Sequence, residues 1–101
     1  MTTETNKIFK ENCEELISKI EYLVHGVDKG VITYNGLMQY IDHIDCFSDE
    51  IKANANNTEK YNDIIAAIQK LQKEIKDGRI TATSIVNKLN SIAKDVAELN
   101  N

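Results

Sequence analysis

Asp42-His43-Ile44-Asp45-Cys46 gathers four metal-ligand side chains within five residues. On a helix, Asp42 and Cys46 stand one turn apart, and His43 and Cys46 nearly so. A transition metal needs three or four such groups converging in tetrahedral geometry. No second His or Cys is near in sequence except by way of the first helical segment, which carries Cys13. Helical phase puts Cys13 on an apolar seam and Cys46 on the outward side. The spacing therefore predicts one buried and one exposed thiol, with no metal site and no disulfide between them.

Asp77-Gly78-Arg79-Ile80-Thr81 resembles the second half of an EF-hand calcium loop. The ligand positions decide the matter. With Gly78 at loop position six, positions one, three and twelve are Lys73, Ile75 and Ser84; around Gly30 they are His25, Val27 and Gly36. Calcium needs oxygen ligands there, with a bidentate Glu at position twelve, so neither loop is expected to bind it. Nucleophilic chemistry is no better served. The chain has two histidines, no Gly-x-Ser-x-Gly, no phosphate-binding glycine loop and no evident carboxylate pair. Neither an enzyme nor a cofactor is expected.

Aromatic rings offer a different chemistry, that of contact. Gly36, Tyr40, His43 and Phe47 recur at steps of four, three and four. Their meaning comes from an internal near-repeat at an offset of 48 residues, in which Gly30-Val31-Ile32-Thr33 returns as Gly78-Arg79-Ile80-Thr81. Flanking apolar positions agree in register: Leu16, Ile20 and Leu23 fall on Ile64, Ile68 and Leu71, and Leu37, Ile41 and Ile44 on Ile85, Leu89 and Ile92. Duplication or convergence on one hairpin unit explains the agreement. The counterparts of the ring positions are Ser84, Lys88, Ser91 and Asp95, and Tyr22, Val24 and Val31 correspond to Lys70, Gln72 and Arg79. The first copy thus carries rings and apolar groups where the second has polar or charged ones. An acidic row, Asp42, Asp45 and Asp49, runs along the same segment, with Glu50 beside it.

Four elements must position these groups. Apolar spacing of three and four predicts amphipathic helices over about Thr5–His25, Tyr34–Lys52, Glu59–Lys76 and Ala82–Leu99. The expected seams include Phe9, Cys13 and Leu16 on the first, and Tyr34, Leu37 and Ile41 on the second. Gly30 and Gly78 suit the left-handed residue that ends a helix, Ile32 and Ile80 fold back over the bundle end, and Thr33 and Thr81 cap the next helix. Asn54-Ala55-Asn56-Asn57-Thr58 reads as the link between copies, with Asn57 or Thr58 capping the third helix. The expected fold is all-α: an antiparallel four-helix bundle of two similar hairpins, about 5–53 and 58–100, in one domain spanning 1–101.

Composition sets outer limits. Proline is absent and glycine occurs four times, so long stretches hold no helix breaker. The start lacks a signal-peptide pattern, no apolar run approaches membrane-spanning length, and two cysteines read as free thiols. A cytoplasmic protein is expected. Residues 1–50 hold four Lys/Arg against ten Asp/Glu, net −6, and residues 51–101 hold eight against six, net +2. Direct nucleic-acid binding and membrane binding are not expected from that balance.

Rings bordered by charge suit a protein contact: the rings exclude water, and the charges select an opposite partner. The expected function is a small non-catalytic protein-binding module acting on a basic partner surface. Its contact residues would be Tyr22, Tyr40, His43, Phe47, Asp42, Asp45 and Asp49. Inhibitor, immunity and antagonist proteins of phages and mobile elements are an analogy of size and charge only. One alternative is a homodimer or structural assembly component held by the same stripe. A weaker one is nucleic-acid mimicry by the acidic face. In the competing reading the stripe is buried against the third or fourth helix and the acidic row is an ordinary solvated face.

Overall fold

The computed structural model describes residues 3–52 and 58–99, and these are all-helical. The elements are α1 (Thr3–Asp28), α2 (Tyr34–Lys52), α3 (Thr58–Lys76) and α4 (Ala82–Leu99). The bounds of α2 and α4 are those the periodicity predicts. Helix α1 extends further at both ends, because nothing in its sequence stops a helix before Gly30. The expected Asn54–Asn57 link, and any cap it supplies to α3, lie outside the described residues.

Helix α1 packs on α2 and α4, and α3 packs on α2 and α4; neither diagonal pair brings Cα atoms within 8 Å. The contacts close a four-membered ring around one core. A 26-residue helix such as α1 is about 39 Å long. The longest extent of the molecule is 43 Å, so the helices run along that axis. Leu16, Ile20, Leu23, Ile41, Ile44, Leu71 and Leu89 fill the core with almost no exposed surface. Burying each such side chain contributes about 1.5–3 kcal/mol before chain entropy is counted. Apolar residues one position along from the seams widen the core: Ile65 is buried, and Ile17, Met38 and Val86 pack half-buried at its margin.

Tyr34 departs from its expected place on the α2 seam. It is 54% exposed. As the first residue of α2 it stands beyond the packed end, beside Lys73 and Lys76 of α3. Ser48, between Ile44 and Ile51 on the seam, is fully buried. Its hydroxyl donates to the Ile44 carbonyl at 2.8 Å, which satisfies the donor within its own helix. Tyr61 is also fully buried and meets Phe9 edge-on at 6.5 Å.

The two turns have one geometry. Gly30 and Gly78 have φ of 67° and 68°, the left-handed region that side chains resist. The Val31 N–H donates to the Gly26 carbonyl and the Gly30 N–H to the Val27 carbonyl, both at 3.1 Å. The Arg79 N–H donates to the Glu74 carbonyl at 3.2 Å and the Gly78 N–H to the Ile75 carbonyl at 3.0 Å. These paired bonds satisfy the last carbonyls of α1 and α3. Thr33 Oγ1 accepts the Gly36 N–H at 3.1 Å, and Thr81 Oγ1 accepts the Ser84 N–H at 3.2 Å, capping α2 and α4. Ile32 and Ile80 fold back half-buried against the core, as expected of them.

Candidate partner-binding surface

On α2, positions 36, 40, 43 and 47 lie on one flank of the core face, turned toward α1. On α1, Lys19 and Tyr22 occupy the flank turned toward α2. The two flanks bring the rings into one row. Tyr22 stacks on Tyr40 with centroids 5.5 Å apart and planes 28° from parallel. Tyr40 meets His43 edge-on at 6.2 Å, and His43 lies 6.5 Å from Phe47. The Lys19 ammonium sits over the Phe47 ring, 5.3 Å from its centroid, and 3.9 Å from Glu15. A cation on a ring face is held by the ring quadrupole, so the row ends in a cation–π contact.

This row straddles the boundary between core and solvent. Tyr22 is 67% exposed, while Tyr40 and Phe47 are half-buried with one side on the core. Their aromatic contacts run to Tyr22, His43 and Lys19, within α1 and α2. Burial, and secondarily Tyr22, push the Tyr40 phenol above its ordinary pKa. It is therefore a hydroxyl donor at neutral pH.

Asp42, Asp45 and Asp49 fall on the opposite flank of α2, toward α3. Gln72 Nε2 donates to Asp42 Oδ1 at 2.7 Å. The Oδ1 atom of Asp45 is enclosed and has no hydrogen-bond partner. Burial raises the Asp45 pKa most, Asp49 and Asp42 raise it further, and a hydrogen bond from Gln69 draws it back. Lys73 and Lys76 line the same α2/α3 groove, which is therefore mixed in charge. The rings share one groove and the acids another, with the outer ridge of α2 and its exposed Cys46 between them.

Lys19 and Glu15 belong to the ring row and are absent from the predicted set. Their places three and seven residues before Tyr22, on the same helical flank, are the available signal. Val31, 77% exposed, extends the apolar surface to the turn. The matching α3/α4 groove is built differently. Lys88 Nζ reaches both Glu74 carboxylate oxygens at 2.8 and 2.9 Å, and Lys70, Ser91 and Asp95 stand where the first groove has Tyr22, His43 and Phe47.

Cys13 is buried, and burial, then Glu14, raises its pKa to about 11, which keeps it a protonated thiol. Among the described residues, no three His, Cys, Asp or Glu side chains group to hold a metal ion, and no helix is long and apolar enough to cross a membrane. In comparisons with known proteins no family model matches the chain, and no curated protein and no solved structure matches it.

Proposed function

We propose that this chain is a small non-catalytic protein-binding module whose α1/α2 groove contacts a basic partner surface. The observation that carries the reading is the continuous ring row Tyr22–Tyr40–His43–Phe47, kept at a half-exposed boundary. Such rings supply area at low entropic cost and dominate protein contacts. The opposite groove supports the same reading, since the ion pair Lys88–Glu74 serves there without rings. In this proposal the helices form two similar antiparallel hairpins within one domain, and only the first has been turned to binding. Asp42, Asp45 and Asp49 act from the far flank of α2 by long-range attraction, while Glu15 and Glu50 stand nearer the rings.

The test is co-purification with tagged wild type and with the double variant Tyr40→Lys/Phe47→Asp, which installs the helix-four residues. Wild type should retain a partner that the variant loses. Retention should persist at high salt, because ring burial is not screened. Identical partners with both proteins would overturn the reading. A complex that dissolves steeply with salt would favour acidic mimicry of nucleic acid instead.

A further inference from the structure

We infer that the α1/α2 groove is shaped for one amphipathic α-helix of a partner protein, apolar along a stripe and basic at its flanks. This rests on the reading of the groove as the partner-binding surface and specifies what lies in it. Two facing seams border the groove: Glu15, Lys19, Tyr22 and Gly26 on α1, and Gly36, Tyr40, His43 and Phe47 on α2. Both step by four, three and four. That is the spacing by which packed helices interlock knobs into holes. A strand, whose side chains repeat every second residue, meets no such register.

The dimensions agree with a short helix. From Gly36 to Phe47 the seam rises about 16 Å, or three helical turns. Ile32 packs beside both glycines at the turn end: a Cβ on Gly26 would lie 3.6 Å from it, and one on Gly36 3.4 Å from it. At the Phe47 end Lys19 lies over the ring, and Glu11, Glu15 and Glu50 are exposed on the same two helices. Within residues 1–50 ten Asp/Glu face four Lys/Arg, net −6. That field over the first two helices disfavours the same region of a second copy and attracts a helix with Lys or Arg at its flanks.

The experiment measures binding of the full chain to two labelled peptides of about 14 residues by fluorescence anisotropy, a length of about four helical turns. Both contain the same leucines and lysines; one is patterned at helical steps of three and four, the other alternates as a strand does. The helical pattern should bind at least about tenfold tighter. Tyr40→Lys/Phe47→Asp should remove that preference. Tyr22→Lys, at a position too exposed to threaten folding, should weaken helical-peptide binding severalfold. Equal affinity for both patterns, with sensitivity to the variants, would overturn the helix inference and leave the groove reading standing. Indifference to all three substitutions would overturn both. A concentration-dependent dimer of the chain that the double variant disrupts would name a second copy as the occupant and also overturn the inference.

Discussion

Tyr61 is the bulkiest of the fully buried side chains, and its enclosed hydroxyl has no hydrogen-bond partner. Burial holds its pKa far above the ordinary phenol range, with Cys13 adding to the effect and Ser48 opposing it. An unsatisfied buried hydroxyl costs about 1–3 kcal/mol. Tyr61→Phe keeps the ring and its contact with Phe9 and removes that cost. Urea unfolding should show a gain of about 1 kcal/mol; a loss of similar size would mean that the hydroxyl is bonded in solution. Asp45 gives a pH-dependent counterpart. Its folded pKa is raised, so the folded state carries a penalty once the carboxyl ionises, and the penalty vanishes where both states are protonated. Asp45→Asn should therefore stabilise the protein at neutral pH, and the gain should disappear below about pH 4, the ordinary carboxylate range. Thermal melts at the two pH values check this. Ser48 shows what reading by residue type misses. Its spacing from Ile44 and Ile51 marks a core position, but a hydroxyl argues against one until its donor is seen to close on the Ile44 carbonyl.

At the scale of elements, the turns were the most legible part. Gly-x-Ile-Thr has one mechanism at each position, and both copies adopt it with the same φ and the same bonds. No atom lies within 4 Å of a Cβ placed on Gly30 or Gly78, so the cost of a side chain there is conformational alone. Gly30→Ala and Gly78→Ala should each destabilise by about 1–2 kcal/mol, and by equal amounts. Thr33→Ala and Thr81→Ala should each cost about 1 kcal/mol through loss of the cap. Unequal values in chemical denaturation would show that the two turns are not one device. Tyr34 was less legible, because periodicity assigns a face and not a height. At the first residue of α2 the apolar face has already left the packed region.

At the scale of the whole molecule, the order of the helices around the ring decides what each flank of α2 meets. Spacing alone shows the ring row and the acidic row on one helix. It does not show that α1 stands on one side and α3 on the other, which is what sends Tyr40 toward Tyr22 and Asp42 toward Gln72. Charge belongs to this scale as well, since net −6 in residues 1–50 is a field over the first two helices and not a property of one contact. The central claim is that Tyr40 and Phe47 serve the surface and that the fold does not depend on them. The unfolding free energy of the Tyr40→Lys/Phe47→Asp variant in urea tests it directly. Truncating a core aromatic costs about 3–5 kcal/mol for each ring. Half-buried rings resting on a complete core should cost far less. The variant should unfold in one cooperative transition, with a total loss of about 1–2 kcal/mol, within the span of ordinary single substitutions. A loss of core magnitude for both rings, or no cooperative transition at all, would contradict the account.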